Sequence, residues 1–396
     1  MQTASEPPAA APRFGTLLAV AVVLIVYGST YPWDFVNVSY PANPLWLLLH
    51  SWPVSFDRWM FRDVALNLAL YVPVGVFAYL KLARRLGPAV SAIAAVALGT
   101  ALSASMEMVQ QFETSRSSSA VDLVCNLAGT VGGVVAGRLH RATLARWASA
   151  RLMEAGAQGR GALVLLLCWI GYQLIPVFPA LSSGRLLRAL QGMPPGSFAV
   201  PEFLAGLGEW MGVARVSVGL SEGLSRAGFP LQAMTLLVCL APARMLIVGR
   251  TVSLAELAAA GAAWILWTLW LSRQTFRTQW AAGAVLAAIL IRGLAPLEFI
   301  SAPRPFSWIP FAGSLSYEYL AAAIPLLRKA FTYGAAIWLL HAAGLSRWTA
   351  AVSVAVLLGA IEAVQVYLPA HTPEITDPLL ALLLAATFGL LGSRAK

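Results

Sequence analysis

The chain has 396 residues, of which 59% are hydrophobic and only 11% are charged. A soluble globular domain carries about 25% charged residues, so this composition excludes an ordinary soluble protein. The formal net charge of +10 is better explained by basic loops that flank apolar segments than by nucleic-acid binding.

Apolar runs of about 20 residues, the length that an α-helix needs to cross a bilayer, recur along the chain. Alternating strand-length segments are not seen in the sequence, so helices rather than a β-barrel are expected. We therefore predict an all-α, polytopic transmembrane helix bundle of about 10–12 spans. The eleven predicted spans are 14–30, 64–82, 87–111, 121–137, 161–181, 231–249, 254–272, 279–297, 324–343, 348–368 and 377–392.

The first span follows a polar tail, residues 1–13, and is expected to be retained. The apolar run is long, and no convincing A-x-A cleavage site lies before Tyr31 and Pro32, which argues against a signal peptide. Basic residues are concentrated in 81–85 and 138–160, and this predicts that both loops are cytoplasmic. The amino terminus is then cytoplasmic as well, and segments 31–63 and 112–120 are external.

The stretch 182–230 differs from the predicted spans because prolines and charged residues interrupt it. Glu202 and Glu209 are seven residues apart and share one helical face, with apolar residues nearby. We expect an external interfacial segment, either an amphipathic loop helix that covers the bundle or a lid that faces a substrate.

Two segments, 105–122 and 360–377, share a pattern of polar residues without a gap. The matched pairs are Glu107 with Glu362, Gln110 with Gln365, Arg116 with His371, and Asp122 with Asp377. Upstream, residues 31–35 resemble residues 295–299, and each of these segments closes an apolar run. The pattern predicts an internal duplication, although overall identity between the two copies is low.

The carboxylates of this pattern are expected to face the bundle interior, because a charged group exposed to lipid costs several kcal/mol. Glu107, Gln110, Arg116, Asp122 and Asn126 are predicted to converge on one polar pocket at the external membrane boundary. A purely structural interpretation stays open, in which Asp122 is the N-cap of its helix and Glu107 pairs with Arg116. The second copy has alanine in place of Asn126, so the first copy is expected to be the working site.

The polar positions resemble the VanZ-like family of bacterial membrane proteins. The resemblance depends on Asp63-Val-Ala-Leu-Asn67, Tyr71-Val-Pro-Val-Gly75, Glu107-x-x-Gln110, Arg116 and Asp122-x-x-x-Asn126-x-x-Gly129. It covers residues 14–137, with a divergent second copy over 281–392 that has Arg328, Lys329 and Tyr333-Gly334 near the position of the 63–75 segment. Residues 138–280 form a linker that holds the basic loop, further spans and the interfacial segment.

The resemblance implies a multi-pass protein of the bacterial inner (cytoplasmic) membrane with a link to glycopeptide resistance, particularly to teicoplanin. The activity of the family is not established, and no cofactor is implied. Asp63 and Asn67 lie four residues apart on one helical face and are expected to join the site of Glu107 and Asp122.

Three functions remain open. A noncatalytic envelope protein would bind membrane lipids, a lipid-linked cell-wall precursor or a glycopeptide. An intramembrane enzyme would use Glu107 and Asp122 as general acid and base on a lipid-linked substrate. A transporter or flippase is less favoured, because the carboxylates lie near helix ends rather than at the membrane midplane. The scattered cysteines and histidines show no metal-ligand spacing.

Overall fold

The structure is a computed structural model that describes residues 14–31, 33–36, 43–52, 58–114, 118–139, 156–175, 198–223, 252–312 and 319–392. Within these ranges it is all-helical, as predicted. The helices are α1 (Phe14–Thr30), α2 (Pro44–His50), α3 (Arg58–Leu82), α4 (Pro88–Gln110), α5 (Ala120–Leu139), α6 (Gly156–Leu174), α7 (Val200–Gly223), α8 (Leu254–Leu269), α9 (Arg277–Leu294), α10 (Tyr319–Ala342), α11 (Arg347–Gln365) and α12 (Thr376–Gly392).

Ten of the eleven predicted spans coincide with these helices, and the predicted span 231–249 lies outside the described residues. By length and composition, α4, α5, α11 and the segment 254–273 are able to cross a membrane. Shorter apolar helices occupy 14–30, 67–82 and 376–390. The protein is therefore an α-helical membrane protein.

Helix starts follow local capping rules. Ser253 precedes α8, and its hydroxyl accepts the backbone N–H of Glu256 at 3.0 Å. Ser346 does the same for Thr349 at the start of α11, at 3.1 Å. Such caps satisfy backbone donors that have no partner within the helix.

The helices fall into two compact units. Helices α1 to α5 belong to the first, and α6 to α12 belong to the second, which begins at residue 151. The second unit is therefore larger than the predicted second repeat, since α6, α7 and α8 lie in the stretch 138–280.

Helices α3 and α5 cross closely in the first unit because glycines line their contact. A Cβ atom at Gly129 would collide with the carbonyl oxygen of Leu68, and one at Gly133 would collide with that of Val72. Gly132, on the same helix, has no neighbour within 4 Å. Small residues let transmembrane helices approach until their backbones touch, and this contact fixes α5 against α3.

Helix α7 lies in the core of the second unit, where it packs against α6, α8 and α9. The expectation of an external interfacial segment is wrong for residues 200–223, because they form one 24-residue helix that is mostly buried. Two of its carboxylates pair with α9: Glu209 with Arg292 at 2.7 Å, and Glu222 with Arg277 at 2.9 Å. Glu222 also pairs with Arg215 of α7 itself, at 3.3 Å. This pairing offsets the cost of charge in an apolar bundle.

Candidate functional site

Glu107 closes the hairpin between α4 and α5. It lies in the last turn of α4 and is only 4% exposed. Its Oε2 accepts the backbone N–H of Ser119 at 2.9 Å, one residue before α5 begins. The carboxylate therefore supplies the acceptor that the first turn of α5 lacks within its own helix.

Asp122 is the third residue of α5, in its first turn. The interpretation of Asp122 as the N-cap is therefore wrong, since the helix begins two residues earlier and the Ser119 hydroxyl accepts the N–H of Val121 at 3.2 Å. A carboxylate in the first turn is still stabilised by the positive end of the helix dipole. Asp122 also lies close enough to Glu107 for their charges to repel.

Asn126 lies one turn further along α5 and is buried against α4. Its Nδ2 donates to the hydroxyl of Ser103 at 2.9 Å. Its Oδ1 is buried and has no hydrogen-bond partner among the described residues. Tyr71 on α3 also contacts Ser103 and is influenced by the charge of Glu107. One end of the Asn126 amide is thus left unsatisfied inside a polar cluster, which is uncommon for a buried group.

Gln110 ties α4 to the end of α1, because its Nε2 donates to the carbonyl of Ser29 at 3.0 Å. The loop that follows α1 is held to the same hairpin, since the N–H of Val36 donates to the carbonyl of Phe112 at 2.7 Å. Gln110 is therefore used as a link between helices in the described structure.

The structure gives less information on the other predicted residues of the first site, which are Asp63, Asn67 and Arg116. Asn67 is half-buried on α3, one turn before Tyr71. Asp63 lies in α3, but its side chain is outside the described part of the chain, as is Arg116 as a whole. The structure brings Glu107, Asp122 and Asn126 to one end of the α4–α5 hairpin.

The second unit contains the matched carboxylates. Glu362, in α11, accepts the backbone N–H of Glu374 at 2.8 Å, and Gln365 donates to the carbonyl of Gly293 at 2.8 Å. A ring nitrogen of His371 lies 2.9 Å from the carbonyl oxygen of Ala295. These contacts join the end of α11 to the end of α9.

Asp377, in the first turn of α12, has two side-chain partners on α10. Its Oδ1 lies 2.6 Å from the ammonium of Lys329, and its Oδ2 accepts the hydroxyl of Tyr333 at 2.5 Å. Among the described residues, no group of three or more His, Cys, Asp or Glu is arranged to hold a metal ion.

Three hydrogen bonds recur at matched positions of the two sequence segments. Glu107 to Ser119 corresponds to Glu362 to Glu374, since 362 − 107 and 374 − 119 are both 255. The other two matches are Gln110 to Ser29 with Gln365 to Gly293, and Val36 to Phe112 with Ile300 to Tyr367. In each of these two matches, one residue lies in the Glu-containing segment, and the two copies of that residue are 255 positions apart. The other residue lies at or just after the end of the upstream apolar run, and its two copies are 264 positions apart: Ser29 and Gly293, and Val36 and Ile300.

Residues 14–141 match the family model described as VanZ/LLP1. The chain contains a VanZ-like domain. The match covers α1 to α5 and all the residues that carried the resemblance, from Asp63 to Gly129. No curated protein and no solved structure matches the chain.

Sequence reasoning missed several polar residues inside and outside the VanZ-like domain. Ser103 was missed because a lone serine in an apolar helix carries no signal. In the second unit, Arg292 was missed. It donates two hydrogen bonds to Glu209, at 2.7 and 3.1 Å, and Arg328 lies 3.3 Å from the same carboxylate. The position of Arg292 in the last turn of the apolar helix α9 could have indicated this pair. A charged residue within a membrane span normally has a partner in the bundle.

Proposed function

We propose that this protein is a noncatalytic component of the bacterial cytoplasmic membrane. Its VanZ-like domain would bind a cell-envelope ligand, a lipid-linked cell-wall precursor or a glycopeptide, and so contribute to glycopeptide resistance. The observation that carries the proposal is the bond between Glu107 and Ser119. This bond engages one carboxylate oxygen with the backbone of its own hairpin. It therefore favours an anchored binding group over a general base, which must be placed to reach the proton that it removes from a substrate.

The polar cluster also has capacity for a ligand. Asn126 retains an unsatisfied buried oxygen, and two carboxylates lie near it at the same hairpin. A ligand that donates hydrogen bonds, such as a sugar or peptide amide of the envelope, would complement these acceptors.

We further propose that the second unit contains a divergent copy of the VanZ-like domain, over residues 281–392. The three matched hydrogen bonds support this proposal, because the sequences alone share few identities. In the second copy Lys329 and Tyr333 occupy both oxygens of Asp377, which favours a structural role there and leaves ligand binding to the first copy.

An enzyme acting on a lipid-linked substrate is the second candidate. The proximity of Glu107 and Asp122 favours it, because two neighbouring carboxyl groups in different surroundings are a common acid/base arrangement. The two candidates differ in one measurable property, since only an enzyme changes the covalent structure of an envelope component.

Expression in a glycopeptide-susceptible bacterium tests the proposal. We expect wild-type protein to raise the inhibitory concentration of teicoplanin, and Glu107→Gln to abolish the rise at equal membrane abundance. Glu362→Gln is the matched control and should retain it. Mass spectrometry of lipid-linked precursors then separates the candidates: an unchanged precursor profile supports binding, and a new product that disappears in Glu107→Gln supports the enzyme. Wild-type protein that leaves susceptibility unchanged would contradict the link to resistance.

A further inference from the structure

An apolar groove lies between the start of α7 and the end of α9 in the second unit. Its volume is about 320 Å³, and its walls are Val200, Pro201 and Leu204 on one side and Leu290, Ile291 and Leu294 on the other. Polar surface is almost absent from the lining. The groove therefore suits a hydrocarbon chain and offers nothing to a polar ligand along its length.

A chain of contacts links one end of this groove to a guanidinium group that the backbone holds in place. Ala295 lines the groove, and its carbonyl oxygen contacts the ring of His371 at 2.9 Å. The carbonyl of His371 in turn accepts Nη1 of Arg304 at 2.7 Å, and the carbonyl of Pro369 accepts the same nitrogen at 2.9 Å. Arg304 is thus connected to the groove residue Ala295 through His371.

The guanidinium of Arg304 has hydrogen-bond donors that its contacts do not use. In the described part of the chain, no carboxylate lies within ion-pair distance of its guanidinium. Both of its side-chain hydrogen bonds there use Nη1, so Nε and Nη2 are available to another acceptor. A guanidinium fork binds phosphate oxygens through paired, charge-assisted hydrogen bonds.

The segment that carries Arg304 has the composition of a membrane interface. Leu297 and Phe299 are more than half exposed, and Trp308 is 75% exposed. Exposed tryptophan and neighbouring apolar residues are typical of the level at which lipid headgroups meet the hydrocarbon layer. The phosphates of phospholipids lie at this level.

We propose that the second unit binds one phospholipid, with an acyl chain in the groove and the phosphate on Arg304. The apolar lining selects the acyl chain, and the guanidinium of Arg304 selects the phosphate. This site is separate from the polar cluster of the VanZ-like domain and does not depend on the function proposed for that cluster.

Native mass spectrometry of the full-length protein in detergent tests this site with two probes, phosphatidylglycerol and diacylglycerol, which share acyl chains but differ in the phosphate. We expect wild-type protein to retain phosphatidylglycerol preferentially. Leu204→Trp fills the groove and should reduce binding of both probes by at least about fivefold, because the acyl chain loses its apolar contacts. Arg304→Gln should reduce only phosphatidylglycerol binding, by about the same factor, and Arg304→Lys should restore part of it.

Val356→Trp is the matched control, since it places the same bulky side chain at an exposed position of α11, outside the groove lining. It should bind both probes as the wild type does. Thermal unfolding without added lipid shows whether each variant retains the fold. Equal retention of the two probes by wild-type protein, or unchanged binding by a folded Leu204→Trp variant, would overturn the proposal.

Discussion

The carboxylate of Glu107 accepts the backbone N–H of Ser119 at 2.9 Å, across the turn that joins α4 and α5. This bond places a buried acceptor at the amino-terminal end of α5, where the first backbone N–H groups have no acceptor within the helix. It also fixes Glu107 beside Asp122 and Asn126, so the same residue supports the hairpin and forms part of the polar cluster. The two roles are separable, because the hydrogen bond needs an oxygen acceptor, whereas the ligand binding proposed for this cluster would use the negative charge.

Glu107→Gln and Asp122→Asn are expected to abolish the resistance phenotype while membrane abundance stays near that of the wild type. Glutamine retains a carbonyl oxygen that accepts the Ser119 N–H but has no charge. Glu107→Leu removes the acceptor as well, and the unfolding free energy should fall by about 1–3 kcal/mol because the partly buried N–H of Ser119 loses its partner. Inhibitory concentrations, immunoblots of membranes and thermal unfolding in detergent measure these effects.

The corresponding changes Glu362→Gln and Asp377→Asn are expected to alter the phenotype less. A parallel decline of abundance and phenotype in Glu107→Gln would mean that the residue is only structural.

The crossing of α3 and α5 provides the second prediction. Gly129→Ala and Gly133→Ala should each destabilise the protein by about 1–3 kcal/mol or more, because the added methyl group meets backbone carbonyl oxygens that no side-chain rotation can move. Gly132→Ala is the control on the same helix, and it should leave stability unchanged or slightly raised, since the position is open. Melting temperatures of the three purified variants, each compared with that of the wild type, test this prediction. Equal effects at positions 129 and 132 would show that the close crossing is incorrect.

The pair formed by Lys329 and Asp377 provides the third prediction. Asp377→Leu leaves the ammonium of Lys329 without its carboxylate in a mostly apolar bundle, and we expect a loss of about 2–4 kcal/mol. The double variant Lys329→Met with Asp377→Leu should recover much of that loss, because both charges are removed together. A double-mutant cycle on the free energy of unfolding measures the coupling between the two residues. Additive effects would indicate that the pair contributes nothing to stability.

The sequence was sufficient to identify most helices, because an uncharged apolar run of about 20 residues is rare outside membrane-spanning helices. It was not sufficient for α7, where Glu209 and Glu222 interrupt the apolar pattern. Their partners Arg292 and Arg277 lie in α9, more than 50 residues away in sequence, and such pairing depends on the packing of the bundle rather than on local pattern.

The polar cluster was likewise predictable only in part. Glu107 and Asp122 were recognisable because carboxylates are rare in apolar helices. That Glu107 bonds the N–H of Ser119, however, depends on where α5 begins, and a sequence pattern defines a helix start only to within one or two residues. Ser103 gave no comparable signal, since serine is an ordinary residue of helix interfaces. Tyr71 belonged to a motif of the resemblance, but its contact with Ser103 was not predictable from the sequence.

The last prediction concerns the orientation of the two repeats in the membrane. Eleven spans would place seven helices before the second repeat and so invert it relative to the first. The basic residues Arg273, Arg277 and Arg347, with Arg394 and Lys396, instead indicate one common orientation. Helix α7 has 24 residues, long enough to cross a membrane, and it was absent from the eleven predicted spans.

With α7 counted beside the predicted span 231–249, eight spans precede the second repeat, and the conflict between helix number and charge disappears. We therefore expect both termini to be cytoplasmic and both Glu-to-Asp hairpins to face the external side. Single cysteines introduced at Ser115 and Ala370, in a variant without the native cysteines, should both react with a membrane-impermeant maleimide added to intact cells lacking an outer membrane barrier. A cysteine added at the carboxyl terminus is the control and should react only after the membrane is permeabilised. If the cysteines at 115 and 370 react from opposite sides, the repeats are inverted, and α7 does not cross the membrane.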